Sequence, residues 1–384
     1  MIPAMLALRL YLRLSGFYLF YFAALGVLLP YWGLYLLALG FDPARIGELI
    51  AIPQATKLVA PALWGWLADR TGRRMRVIRW GCLVSMLTFG GVYLAGKSYL
   101  GLALVTLAFS FFWNAVLPQF EAVTLNHLGE YIHRYSRVRL WGSVGFIGAA
   151  VGVGFLVRDW GVGVVPALLW GLFAALWFNS LLVPEQAVTP IVRESPRLGR
   201  VLRQPVVIAF FAACFLNQAA HGPYYGFFSL YLETFGYSRE FIGLLWGLGV
   251  TLEVGMFVLF PRLLPRLGPR RLMLAALALA ALRWVLIGHF ARELPLLLFA
   301  QTLHAFSFGV FHAVSIHLIH QLFPGSLQGR GQALYSSLSF GAGNAAGSLA
   351  AGYLWQGLGP SAMFDLAAAL GVLAWLVAWR GLRP

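Results

Sequence analysis

Apolar residues dominate the chain in long runs that short polar stretches separate. The runs are about 18 to 25 residues long, which is the length an α-helix needs to cross a hydrocarbon core. Windows of roughly 19 residues place about twelve such runs. Their centres lie near Phe22, Ala55, Leu87, Phe111, Gly148, Phe173, Tyr225, Gly249, Leu279, Phe308, Phe340 and Leu370. Because a backbone in lipid must satisfy its own polar groups, each run is predicted to be a helix.

The composition agrees with this pattern. Hydrophobic residues make up 60% of the 384 residues, charged residues only 11%, and the mean hydropathy is +0.78. A soluble domain of this length needs more charge to cover its surface. The predicted fold class is an all-α membrane protein with twelve transmembrane helices.

The net charge of +15 does not indicate a nucleic-acid partner. Most Lys and Arg residues fall in alternate loops, on the side that also holds both termini, which is the positive-inside pattern. We therefore expect a multi-pass protein of the cell inner membrane with both termini cytoplasmic. The basic loops then face anionic lipid of the bilayer.

An internal repeat divides the chain. "GFDPARIGELI" from Gly40 and "GYSREFIGLLW" from Gly236 align at an offset of 196 residues, and the longest polar connection lies between the two copies. The predicted domains are an N-terminal six-helix bundle over 1–184, a cytoplasmic linker over 185–204 and a C-terminal six-helix bundle over 205–384. Parallel repeats of this kind are a transporter architecture that holds substrate between its halves.

Three charged residues lie inside predicted spans, where charge is costly and marks binding or proton-relay sites by default. The offset of 196 pairs the position of Lys57 with that of Glu253, and Arg283 differs from Glu253 in depth by roughly 8 Å, a gap that an arginine side chain nearly bridges. We expect Glu253 and Arg283 to form a proton-coupling pair, the alternative being a static ion pair. Glu121, nearer the cytoplasmic end of its span, is a third proton-coupling candidate, with an interfacial position as the alternative.

Polar and aromatic side chains occur together in the first, seventh and tenth spans. Asn, Gln and His have no partners in hydrocarbon, so their presence favours a site that hydrogen-bonds a polar group and stacks a ring. Packing and interface anchoring are the alternative for the aromatic residues. The candidate substrate-binding residues are Lys57, Tyr21, Trp32, Asn114, Asn217, Gln218, His221, Tyr225, His304, Phe308 and His312.

Several motifs together resemble the major facilitator superfamily. "GWLADRTGRR" from Gly65 to Arg74 is similar to that family's loop between its second and third helices. "YSRVRLWGSVGFI", "HGPYYGF", "LEVGMF", "LRW" and "LHAFSFGVFHA" resemble the phenylpropionate-permease-like branch, related to nucleoside and oligosaccharide proton symporters. The resemblance covers nearly the whole chain. It implies twelve helices in two pseudo-symmetric bundles, alternating access, and proton-driven uptake of a small organic solute.

The motif after the second span supplies gating candidates, namely Gly65, Asp69, Arg70, Gly72 and Arg73. An acid there is able to cap a helix N-terminus and to bind nearby arginines. We expect Asp69, with Arg70, Arg73 and Arg74, to latch the cytoplasmic side.

Other functional classes find little support. "GVYLAGKS", from Gly91 to Ser98, matches the spelling of a phosphate-binding loop, but it ends a predicted membrane helix and lacks the strand that this chemistry needs. His317 and His320 lie on one helix face without a third ligand of matching depth, so no metal site is predicted. No catalytic set appears in a plausible context. We predict neither an enzyme nor a cofactor.

The sequence thus predicts a monomeric secondary transporter that takes up a small solute with protons, with an aromatic carboxylate such as a phenylpropionate-like acid as the first choice of substrate. A nucleoside or sugar proton symporter, an exporter of hydrophobic compounds, and a non-transporting membrane sensor stay open as alternatives.

Overall fold

The structure is a computed structural model that describes residues 4–186 and 198–382. Helices occupy almost all of the described chain, as predicted. The α-helices are α1 (Ala4–Ala38), α2 (Pro43–Thr56), α3 (Ala60–Thr71), α4 (Arg74–Phe89), α5 (Val92–Ala95), α6 (Tyr99–Leu128), α7 (Tyr135–Trp160), α8 (Val165–Leu182), α9 (Leu198–Leu202), α10 (Pro205–Glu233), α11 (Arg239–Phe290), α12 (Leu294–Thr302), α13 (Phe311–Leu322), α14 (Gln328–Tyr335), α15 (Asn344–Leu358) and α16 (Ala362–Gly381). Short 3₁₀ segments cover Gly129–Arg134, Val162–Val164 and Gly325–Leu327, and π-helical segments cover Ala305–Val310 and Ser336–Gly343.

Nine helical stretches in the described residues are long and apolar enough to cross a membrane. One of them, α11, has 52 residues and leaves helical geometry at Gly268, so that it holds two spans. The α2–α3 pair and the run from α14 to α15 are interrupted helices in the positions of two further predicted spans. The described helices are therefore consistent with twelve spans.

The second predicted span is broken at Lys57. Residues 57–59 form a turn between α2 and α3, and the backbone N–H of Val59 bonds the carbonyl of Thr56 at 3.2 Å. Pro61 explains the break, because it has no N–H to give to the carbonyl four residues earlier, which is that of Lys57. The helix resumes when Leu63 N–H bonds Val59 O at 3.1 Å.

Two compact units make up the chain. The first holds Met1–Gly40, Thr56–Ile191 and Arg239–Leu244, and the second holds Phe41–Ala55, Val192–Ser238 and Leu245–Pro384. Much of the predicted linker lies outside the described residues, and α9 lies within the part that is described. The predicted bundle boundaries at 184 and 205 remain a prediction.

Close helix packing inside each unit depends on glycine. A Cβ atom at Gly145 of α7 would collide with the carbonyl oxygen of Leu19 in α1, and one at Gly347 of α15 would collide with that of Ala219 in α10. Small residues allow such approach in lipid, where packing rather than the hydrophobic effect holds helices together.

The backbone supports the repeat found in the sequence. Gly40 and Gly236, which the offset of 196 pairs, have φ angles of 94° and 80°. Gly72 and Gly268, paired by the same offset, have φ angles of 65° and 74°. Positive φ is costly for residues with a side chain. The two copies therefore turn at matching glycines with positive φ, although ψ differs between Gly72, at 8°, and Gly268, at 159°.

Candidate functional site

The most elaborate polar cluster of the second unit surrounds Arg283. This side chain is fully buried, and its guanidinium donates to Gln301 Oε1 at 2.8 Å, Ser307 Oγ at 3.2 Å and the carbonyl of Ala300 at 3.2 Å. The guanidinium carbon of Arg283 also lies 4.1 Å from the ring centroid of Tyr224. A buried charge is tolerated only with such complete hydrogen bonding.

A fourth hydrogen bond of Arg283 fixes the protonation pattern of a neighbour. Its Nη1 lies 3.1 Å from Nδ1 of His304, and because a guanidinium only donates, Nδ1 must accept. The proton of the neutral imidazole is then on Nε2, which lies 3.4 Å from Oε2 of Glu253. His304 therefore presents an N–H to the Glu253 carboxylate.

This arrangement corrects the direct pair expected between Glu253 and Arg283. None of the hydrogen bonds and ion pairs of Arg283 reaches Glu253 in the described part of the chain; the His304 ring lies between the two side chains instead. The depth estimate from sequence was compatible with contact. It did not include a third side chain, His304, which lies between the end of α12 and the π segment.

Three rings continue from this cluster along one face of the tenth predicted span. His304 stacks on Phe308 with ring centroids 5.5 Å apart, and Phe308 stacks on His312 at 5.9 Å. His304, Phe308 and His312 are four residues apart, a spacing that puts side chains on one face of a helix, and the π segment Ala305–Val310 lies between the two histidines. Nδ1 of His312 lies 3.2 Å from the hydroxyl of Tyr335.

The predicted polar residues of α10 carry buried atoms that have no hydrogen-bond partner among the described residues. These atoms are Oδ1 of Asn217, both amide atoms of Gln218 and Nε2 of His221. Nδ1 of His221 donates to the carbonyl of Asn217 at 2.7 Å, so its Nε2 is a bare acceptor. The Tyr225 ring lies 5.7 Å from that of His221. Unmet hydrogen-bonding capacity of this kind is costly and typical of functional sites.

A cation that the sequence analysis missed lies in the first unit. The guanidinium carbon of Arg139, on α7, is 3.9 Å from the ring centroid of Phe22 and 5.6 Å from that of Tyr18. In the described residues no hydrogen bond or ion pair of this half-buried side chain is recorded. Arg139 belongs to the motif "YSRVRLWG", and this position in the motif could have identified it from the sequence.

Glu121 lies in the same neighbourhood. Its Oε1 is 3.5 Å from the hydroxyl of Tyr135, a long hydrogen bond, while Tyr18 donates to Thr124 Oγ1 at 3.2 Å. The rings of Tyr18 and Tyr135 meet edge to face at 6.4 Å. The acid thus lies beside the Tyr135 phenol, and its proton-coupling role stays a prediction.

Two more predicted residues of the first unit lie in its interior. Tyr21 stacks on Trp113 at 4.9 Å, and Asn114 Nδ2 donates to Thr56 Oγ1 at 2.8 Å. Lys57 follows Thr56 in the chain and is half-buried at the α2–α3 break. Lys57 remains a candidate substrate-binding residue.

Trp32 is the outlier among the predicted substrate-binding residues. It lies 11 residues from Tyr21 along α1, roughly 16 Å at helical rise. There its ring packs on Phe89 at 5.7 Å and on Tyr35 at 5.1 Å. The structure places it in an aromatic cluster, which favours the packing alternative.

The predicted latch uses one arginine rather than several. Asp69 pairs with Nη2 of Arg74 at 2.5 Å, and Nη1 of Arg74 donates to Gln119 Oε1 at 3.0 Å. Arg70 lies over the ring of Trp66 at 5.3 Å, and Arg73 is exposed. In the described part of the chain no backbone N–H donates to Asp69, which lies in the last turn of α3, and the N-terminus of α4 is met by Glu185 instead. The latch itself stays a prediction.

The remaining two motif glycines have separate tasks. Gly72 takes the left-handed conformation that ends α3, and its N–H bonds Ala68 O at 3.0 Å. A Cβ at Gly65 would lie 3.1 Å from Nε2 of Gln119, the residue that Arg74 holds. Both glycines therefore support the Asp69–Arg74 arrangement.

The cap of α4 comes from a residue that the sequence analysis did not select. Both carboxylate oxygens of Glu185 accept backbone N–H bonds, from Met75 at 2.9 Å and from Arg76 at 3.0 Å. In return, Arg79 of α4 donates to the carbonyls of Ser180 and Val183 at the end of α8. The two helix ends are thus tied together by complementary charge.

Comparison with known proteins identifies the family. The model of the MFS_1 like family matches residues 11–366. The chain belongs to this family. It is 30% identical over 355 residues to a probable 3-phenylpropionic acid transporter of Escherichia coli (strain K12), covering 91% of this chain and 92% of that one. It is 29% identical to a maltose permease of Geobacillus stearothermophilus, covering 94% and 92%.

Solved structures show the same fold. The nucleoside transporter NupG superposes with a TM-score of 0.82 at 19% identity, covering 97% of this chain and 98% of that one. A D-xylose-proton symporter superposes with a TM-score of 0.72 at 14% identity, covering 99% and 98%. The predicted major facilitator fold and the resemblance to this branch are confirmed. The chain is a multi-pass membrane transporter, and its relatives are transporters rather than enzymes.

Proposed function

We propose that this MFS_1 like protein imports a small aromatic carboxylate together with protons by alternating access, as a monomer in the inner membrane with both termini cytoplasmic. The observation that carries the proposal is the buried chain from Arg283 through His304 to Glu253. It places an acid at mid-span beside a neutral ring whose proton position is fixed. Intramembrane acids held in this way are typical proton carriers.

In this mechanism Glu253 carries the proton, and His304 orients the Glu253 carboxylate. The ionised carboxylate accepts the Nε2–H of His304, and protonation removes that charge. The hydrogen bond from Nε2–H to Glu253 then loses its charge assistance, while Arg283 still holds Nδ1. Proton loading at Glu253 therefore changes the polar network that links α11 to α12.

The substrate carboxylate is assigned to Arg139 and Lys57 rather than to Arg283. Arg283 already donates four hydrogen bonds, whereas the guanidinium of Arg139 lies on the Phe22 ring with its N–H groups available in the described residues. A cation on an aromatic face suits a ligand that carries both a carboxylate and a ring. The name of the Escherichia coli relative supports this choice of substrate.

A sugar or nucleoside is the second candidate, and it rests on α10. The buried amide of Gln218 and Oδ1 of Asn217 lack partners in the described residues, and several substrate hydroxyls would satisfy them. The names of the maltose permease and of NupG agree with this alternative.

Measurement of proton movement in liposomes tests both candidate substrates, the aromatic carboxylate and the sugar or nucleoside. Purified protein is reconstituted, and aromatic acids, nucleosides and sugars are added one at a time while external pH is recorded. Alkalinisation on adding an aromatic acid, absent in Glu253→Gln, supports the proposal. Alkalinisation only with sugars or nucleosides selects the second candidate. Binding without flux, measured by thermal shift, favours a sensor and contradicts both, and flux only out of the liposomes favours an exporter.

A further inference from the structure

The second half of α11, together with Arg292 in the turn that follows it, presents one line of exposed residues. Its members recur at spacings of four and three, so they share one face of the helix. The exposed residues of this line are Arg271, Ala275, Ala278, Leu282, Val285, His289 and Arg292. It is about 32 Å long at helical rise, close to the thickness of a hydrocarbon core. An apolar line with cationic ends fits contact with lipid.

One end of this line opens into a cavity of about 320 Å³. His289 and Arg292 belong both to the line and to the cavity wall, so the two are continuous. Tyr231 and Phe235 from the end of α10 and Ser361 from the start of α16 complete the wall. The cavity lies entirely within the second unit.

The chemistry of the wall is that of a phosphate site with aromatic sides. The guanidinium carbon of Arg292 lies 5.5 Å from the Phe235 ring centroid, with its N–H groups directed by stacking. His289 Nε2 is 2.7 Å from Asp365 Oδ1, which fixes the ring at the mouth. Tyr231 gives its proton to the carbonyl of Gly288 at 2.6 Å, so it contributes an aromatic side to the wall rather than a hydrogen-bond donor. Arginine is well suited to phosphate oxygens.

We propose that this cavity binds the phosphate of a phospholipid whose acyl chain lies along Leu282 and Val285. Arg292 supplies the cation for the phosphate, since His289 is already paired with Asp365, and continuity with the exposed apolar line selects a lipid over a free anion. The positive-inside pattern places the site in the outer leaflet. The site is separate from the polar cluster around Arg283 and does not depend on the transported substrate.

A labelling experiment tests the site. Ser361→Cys introduces one accessible thiol into the wall, and the two native cysteines, Cys82 and Cys214, are buried. The rate of reaction with a water-soluble maleimide is measured in detergent, with and without phosphatidylglycerol or phosphatidylcholine. Lipid is expected to slow labelling about tenfold, the effect of one charge-assisted contact. Arg292→Gln in this background should remove the protection, and the exposed Arg158→Gln should keep it.

The other outcomes overturn the proposal. Equal protection by inorganic phosphate or 3-phenylpropionate alone would make the cavity a site for soluble anions. Lipid protection that persists in Arg292→Gln would assign it to the bilayer at large. Labelling unaffected by any lipid would show that no lipid binds there. Retention of the monomer peak in size exclusion controls for folding of each variant.

Discussion

Arg283 donates to Nδ1 of His304 at 3.1 Å, and this single contact decides which nitrogen of His304 faces Glu253. A ring held in this tautomer is able to orient the carboxylate without changing its own charge. A second proton on Nδ1 would require the bond from Arg283 to break. The arrangement therefore separates the residue that carries the proton from the residue that positions it.

Substitutions at His304 distinguish these roles. Glutamine supplies an oxygen for Arg283 and an N–H for Glu253 but does not titrate, so His304→Gln should keep proton-coupled accumulation within about threefold. His304→Phe removes both hydrogen bonds and should lower accumulation at least tenfold, on the order of two lost bonds. The measurement is uphill uptake in liposomes at fixed pH gradients. Loss of coupling in His304→Gln would make His304 itself the carrier, and the exposed His320→Phe is the control.

Arg139 is expected to select carboxylates. Arg139→Gln removes the cation above Phe22 and should raise KM for an aromatic carboxylate about tenfold or more, the usual cost of a lost charge-assisted bond. Binding of a neutral nucleoside, followed by thermal shift, should change little. Arg137→Gln, exposed two residues earlier on α7, is the matched control. Equal losses for charged and neutral ligands would assign Arg139 to packing instead.

The helices were predictable because their signal is long and local, whereas the site depends on partners distant in sequence. Charge inside an apolar run was enough to identify four candidate residues, namely Lys57, Glu121, Glu253 and Arg283. The His304 bridge, by contrast, requires the relative rotation of α11 and α12, which hydropathy does not encode. The π segments shift residues by an amount that a uniform α-helix does not predict.

Arg139 and Glu185 were missed for a different reason. Both lie near helix ends, where charge is common and usually solvated. Their identification needs the Phe22 ring in one case and the N–H groups of Met75 and Arg76 in the other.

The Asp69–Arg74 pair is expected to hold one conformational state. Asp69→Ala frees Arg74 from its carboxylate partner and should bias the protein toward the inward-open state. Labelling of single cysteines placed on the predicted cytoplasmic side reads the bias as an increased rate. Glu130→Ala removes an exposed acid from a nearby loop and controls for net charge. Unchanged labelling in Asp69→Ala would contradict a latch.

Glu185 should stabilise the first unit through the N-terminus of α4. Glu185→Ala leaves the N–H groups of Met75 and Arg76 without the carboxylate, at a cost of about 1 kcal/mol, as for other helix caps. Thermal unfolding in detergent should show a lower Tm, with transport kinetics at low temperature retained. The neighbouring Gln186→Ala should leave Tm unchanged. The same Tm in both variants would mean that water replaces the cap without loss.

The paired glycines give the last prediction. Gly72 and Gly268 hold positive φ at equivalent places of the repeat, so alanine at either should cost about 1–2 kcal/mol of stability. Gly199→Ala is the control, because Gly199 is helical and a Cβ there meets nothing within 4 Å. That variant should be neutral or slightly stabilising. Similar Tm losses for Gly72→Ala and Gly268→Ala, beside no loss for Gly199→Ala, would show that the two turns carry equal strain. A large loss of Tm in only one of these two variants would mean that positive φ is needed for stability in one copy of the repeat and not in the other.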